Sequence, residues 1–153
     1  MFLPTFINTP ASFPISEQAV EVIFFAINET VDIAQNGMVN IAFLPDEEIR
    51  TLNKNYRGID KSTDVLSFHY FEDFTGLADE EIAGEIILSE AKIIEQAAEY
   101  GNTSEAEFAK LLIHSTLHLL GYDHETDEDY TLMHAEEFKI EKVLAEKTGI
   151  VIR

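Results

Sequence analysis

The sequence predicts an α+β fold in which about five helices pack on a small four-stranded mixed sheet. Three observations point there. Four segments alternate or concentrate apolar residues as strands do, and five carry apolar residues at helical spacing. The two kinds are intermixed along the chain rather than alternating strictly. The chain's 153 residues, 46% of them hydrophobic and 25% charged, suit one domain, residues 1–153, of ordinary globular composition.

The first strand is expected over Phe2 to Asn8, with Pro4 marking an edge position. Ser16 is a plausible N-cap for a helix running to Glu29, whose Val20, Ile23, Phe24 and Ile27 fall on one face. After the turn signal of Gly37, Met38 to Leu44 reads as the second strand, and Asp46 opens a short helix carrying Ile49, Leu52 and Tyr56. A polar loop, Arg57 to Thr63, leads to a third strand over Asp64 to Tyr70. Glu72 to Glu81 is an acidic loop, and Gly84 to Ser89 is the fourth strand. Helices then follow over Glu90 to Tyr100, ended by Gly101, and over Ser104 to Leu120, stopped by Gly121. Thr126 caps the last helix, with Asp129 three positions on, and this helix runs to about Lys147. Met133 is expected in its buried stripe with Ile140 and Leu144.

Composition excludes several classes. There is no cysteine, so a disulfide scaffold, a thiolate metal site and a cysteine nucleophile are ruled out. No apolar run approaches the ~20 residues of a membrane span, and Met1-Phe2-Leu3-Pro4 carries no basic region of a secretory signal. The cytoplasm is the expected compartment, with no membrane partner. Ten Lys and Arg against 29 Asp and Glu give a net charge of −19, which opposes general binding to nucleic acid through phosphate neutralisation.

Three of the five histidines fall within the eleven residues His114 to His124. His114 and His118 are four apart, so one helix face presents both imidazoles a turn apart. Gly121 can take a positive φ and turn the chain, letting His124 approach the same point from another side. Three neutral nitrogens around an open fourth position describe a catalytic zinc site. The spacing is that of the metzincin signature H-E-x-x-H-x-x-G-x-x-H, but Ser115 stands where metzincins carry their general-base glutamate. Peptidase chemistry is thereby disfavoured, though the cage is not. His69, at a strand end, and His134, on the last helix, are not expected to join it.

Four of the ten basic residues fall between Arg50 and Lys61. Against so acidic a background, this concentration suggests a local anion site, where a guanidinium can grip phosphate oxygens with paired donors. The plainer alternative is a surface network in which Arg57 and Lys61 pair with Asp60 and Asp64.

Together these segments resemble the YbeY family, bacterial rRNA maturation factors described as metal-dependent, single-strand-specific endoribonucleases. The matching pieces are Asn53, Tyr56-Arg57, Asp60-Lys61 and Thr63 to Phe68, then Gly84-Glu85-Ile86, Gln96-Ala97, Glu99-Tyr100-Gly101, and His114 through His124, followed by Met133 and Glu136. The likeness spans about residues 40 to 140. Ser115, His69 and Asn102-Thr103 depart from the usual family pattern, and none is a proposed ligand. The resemblance implies one Zn2+ per chain on His114, His118 and His124 and a catalytic Arg57; by ligand type, Ni2+ is also an acceptable substitute. Lys61, Ser67 and Asp123 are candidates for hydrogen bonding to ligands or substrate. It also implies action on the single-stranded 16S rRNA precursor, in 3′-end maturation and ribosome quality control. The expected partners are the small ribosomal subunit and its assembly factors, not DNA. Two rival readings are an assembly factor with weak or no nuclease activity, which the acidity favours, and another metallohydrolase, a peptidase or amidase, on the same cage.

Overall fold

The computed structural model describes all 153 residues. Its elements are β1 (Leu3–Phe6), α1 (Glu17–Thr30), β2 (Met38–Phe43), α2 (Asp46–Arg57), β3 (Val65–His69), β4 (Ile82–Leu88), α3 (Glu90–Tyr100), α4 (Ser104–Leu119) and α5 (Asp127–Thr148). The expected α+β class, with five helices and a four-stranded mixed sheet, is what is found. Strand order is β1-β2-β4-β3. β1 and β2 are parallel, as are β2 and β4, while β3 runs antiparallel to β4. Pro4 therefore does lie on an edge strand, and β3 forms the opposite edge.

Local chemistry accounts for the element boundaries. The side chains of Ser16, Ser89, Thr103 and Thr126 accept the N–H of Ala19, Lys92, Ala106 and Asp129, capping α1, α3, α4 and α5. Gly58, Gly101 and Gly149 end α2, α3 and α5 in the left-handed region. β4 begins two residues earlier than the sequence suggests, because Ile82 and Ala83 are drawn into pairing alongside β2, where Met38 lies opposite Ile82.

The two faces of the sheet are covered unequally. Alternation in β2 sends Val39, Ile41 and Phe43 into a main core of 27 buried residues, shared with α1, α4 and α5. The other face holds a cluster of only three, Ile49, Leu66 and Ile87, under α2. Met133, Ile140 and Leu144 are buried in the main core, as the stripe on α5 predicts. α4 is apolar nearly all round, and Leu112, Ile113 and Leu117 are fully enclosed. Its last turn rests on the sheet at Gly84, where a Cβ would lie 2.7 Å from the Phe68 carbonyl oxygen and 3.1 Å from the Leu119 side chain. Glycine at that position permits α4 to sit close enough to present its C-terminal end beside β3. No helix is long and apolar enough to cross a membrane.

Candidate metal centre

α4 ends where the histidines are. The N–H of Gly121 bonds the His118 carbonyl at 3.0 Å and the N–H of Tyr122 bonds the Leu117 carbonyl at 3.1 Å, closing the helix. Gly121 has φ +97°, a conformation that side-chain-bearing residues rarely adopt. The chain reverses there and returns His124 toward the helix. The Asp123 carboxylate accepts the backbone N–H of His124 at 2.7 Å, which fixes the returning segment.

The three imidazoles converge. Ring centroids are 4.8 Å apart for His114 and His118, 5.1 Å for His118 and His124, and 5.5 Å for His114 and His124. One nitrogen from each lies within 4.8 Å of the others, so the group could hold a metal ion. The donor set fits a borderline divalent cation, being all imidazole. Burial, followed by the charges of His114 and His124, lowers the pKa of His118, which favours the neutral ring with its lone pair available.

One contributor was not foreseen. Glu137 of α5 accepts a hydrogen bond at 3.1 Å from Nδ1 of His114, which selects the tautomer in which Nε2 carries the lone pair. Its carboxylate is only 17% exposed, and its other oxygen lies 3.9 Å from Nδ1 of His134. A sequence signal for it existed: Glu137 falls in the 133-137-140-144 stripe whose other members are buried, and a carboxylate in such a stripe needs a partner.

The histidines open on a cleft of about 1010 Å³ whose far wall is β3 and the end of α2. Arg57, Ser67 and Asp123 line it, as do Ser115 and Glu137, whereas Lys61 does not. Lys61 instead offers its carbonyl to Asn53 Nδ2 at 2.8 Å, tying the loop back to α2. The alternative surface network around Arg57 and Lys61 is not what forms: Asp60 pairs with Arg50 at 2.8 Å, and neither Arg57 nor Lys61 joins an ion pair. The Arg50 pair holds the Asp60 carboxyl below its ordinary range, through its hydrogen bond first and its charge second. With Asp60 held by Arg50 and the Lys61 carbonyl by Asn53, the loop after α2 is tied back to the helix, and the Arg57 guanidinium has no carboxylate partner. His69 lines the cleft too, its Nδ1 3.2 Å from the Phe71 carbonyl, while His134 stacks on Tyr130 outside it.

Comparison with known proteins gives a consistent result. The family model described as Endoribonuclease YbeY matches residues 8–145. An Endoribonuclease YbeY of Thermoanaerobacter sp. (strain X514) is 45% identical over 134 residues, 81% of this chain and 84% of the relative. One from Caldicellulosiruptor saccharolyticus is 38% identical over 154 residues, covering 94% and 95%. The solution structure of a Thermotoga maritima protein superimposes with a TM-score of 0.57 at 31% identity, over 95% of this chain and 91% of that one.

Proposed function

The chain belongs to the endoribonuclease YbeY family, and from that premise we propose that it is a zinc-dependent endoribonuclease acting on single-stranded rRNA. The observation that carries this reading is that a three-imidazole cage and a guanidinium with no carboxylate partner open on one cleft. Zinc suits the donor set, and nickel would also accept it. When bound, such an ion polarises a phosphoryl oxygen and lowers the pKa of a coordinated water to about 7.

The remaining roles fall to the chain's own groups. His114, His118 and His124 hold the ion, and Glu137 keeps His114 turned toward it. Arg57 offers paired N–H donors to the scissile phosphate and to the charge that builds on it during transfer. Ser67 and Asp123 border the cleft, Asp123 by holding the His124 backbone in place. Ser115 is 1% exposed and supplies no base at neutral pH, which argues against the peptidase reading.

In the cell this activity would serve 16S rRNA 3′-end maturation and ribosome quality control in the cytoplasm, beside the small subunit and its assembly factors. The net charge of −19 favours docking on basic ribosomal proteins. It therefore supports the second reading, an assembly factor whose nuclease activity is weak. Substitution Arg57→Ala separates them: cleavage of single-stranded RNA falls at least ~100-fold with zinc content unchanged. Loss of zinc in the same variant would make Arg57 structural, and undiminished cleavage would remove it from the reaction. Casein hydrolysis by the wild type would favour the peptidase instead.

A further inference from the structure

The cleft follows β3, an edge strand paired on one side only. Ser89 donates its N–H to the Asp64 carbonyl, and Tyr70 donates its N–H to the Ala83 carbonyl. Even-numbered residues therefore turn their backbone groups toward β4, and Val65, Ser67 and His69 turn theirs outward. The side chains of Phe68 and Tyr70 share one face of the strand by the same alternation. Tyr56, from the last turn of α2, meets Phe68 edge-on with ring centroids 5.3 Å apart.

Packing alone does not account for these rings. Phe68 leans on the small cluster under α2, but Tyr56 is 70% and Tyr70 is 53% exposed, both within the cleft that holds the histidines. Charge does not supply the missing affinity for an RNA chain. The cleft's full cations are Arg57 and Lys110, set against Asp64, Asp123, Glu125 and Glu137. Lys110 is already engaged, 3.2 Å from Glu107 and 4.3 Å above the Tyr100 ring. Neutralising one or two phosphates is the most this surface can do.

We infer that Tyr56, Phe68 and Tyr70 form a stacking platform for unpaired nucleobases beside the Arg57 phosphate position, so that RNA is held chiefly by base stacking rather than by counterion release. This rests on the ribonuclease reading above and names what that site grips. Every nucleobase has a π face, so the platform tolerates sequence, whereas a base inside a duplex has both faces covered by its neighbours. Two phosphate contacts on a single strand give a slope of log affinity against log salt no steeper than about −1.4.

The test uses the full zinc-loaded chain and fluorescence anisotropy of a labelled 2′-O-methyl adenosine hexamer. Tyr56→Ala and Tyr70→Leu each weaken binding at least about fivefold, the lower bound for one lost base stack, with zinc content and melting temperature unchanged. Tyr56→Phe binds as the wild type does, an abasic hexamer binds more weakly than either single variant binds the adenosine hexamer, and the salt slope stays shallower than about −1.5. Wild-type affinity in both variants, equal affinity for the abasic hexamer, or a slope of about −3 or steeper overturns the platform. If RNA is still cleaved in that case, the ribonuclease reading stands. A zinc-loaded wild type that neither binds nor cleaves single-stranded RNA overturns both.

Discussion

Glu137 offers a sharp test of how the metal centre is built. Its carboxylate oxygen sits 3.1 Å from Nδ1 of His114, across 23 residues of sequence, and the group is largely shielded from water. Replacing it by alanine frees the ring to rotate and to exchange tautomers, and leaves the N–H without its acceptor. Carboxylates in this position contribute about 10- to 100-fold to metal affinity, or about 1.4 to 2.8 kcal/mol at 1.4 kcal/mol per tenfold. Competition for zinc against a chromophoric chelator near neutral pH measures the loss directly. Glu137→Ala is expected to weaken binding by that range, and Glu137→Gln, which keeps an acceptor but not the charge, by less. An alanine variant that is correctly folded by circular dichroism and binds zinc within about twofold of wild type, well short of the expected loss, would refute the role.

Three further expectations concern the scaffold. Gly84→Ala sets a methyl group 2.7 Å from the Phe68 carbonyl oxygen, and overpacking of this kind costs about 1 to 3 kcal/mol. At about 2 to 4 °C per kcal/mol for a chain of this size, its melting temperature falls measurably, and an unchanged value contradicts the close approach of the β3 backbone and of Leu119 from α4 at this position. Leu112→Ala empties a fully buried position of α4 and lowers stability in urea by about 2 to 5 kcal/mol; a loss under about 1 kcal/mol, below that range, would show that the core collapses around the gap. Partial desolvation, then the neighbouring Glu85 carboxylate, pushes the half-exposed Tyr70 hydroxyl up to about 12 from an ordinary 10.0. The folded state thus keeps a proton that the unfolded state releases, and stability is lost as pH rises through that window. Tyr70→Phe removes this loss, so its urea midpoint gains on the wild type from pH 10 upward. A difference independent of pH contradicts the shift.

The legible part of the site was the part encoded locally. His114, His118 and His124 owe their convergence to one helix turn and one glycine bend, both of which are written in eleven consecutive residues. The order of the strands, and the parallel pairing of β4 with β2, depend on which apolar faces meet across the core, and no short segment carries that information. Glu137 was missed for the same reason, since its partner lies on another helix, although its place in a buried stripe marked it. Lys61 shows the opposite failure. Charge density along the loop suggested an anion site, but the density does not say which side chains face inward, and Asn53 ties the backbone at Lys61 to α2 while Arg57 borders the cleft. The alternative pairing of Asp60 with Arg57 or Lys61 gave way to Arg50, about two helical turns before Arg57 on α2, which ties the loop back to the helix.

Zinc content per chain, measured after exhaustive dialysis for the wild type and for His118→Ala, tests the central claim most directly. One zinc ion per wild-type chain and essentially none in the variant are expected, because His118 supplies one of only three converging imidazole donors. A wild type that retains no metal, or a His118→Ala variant that retains a full equivalent, would contradict it.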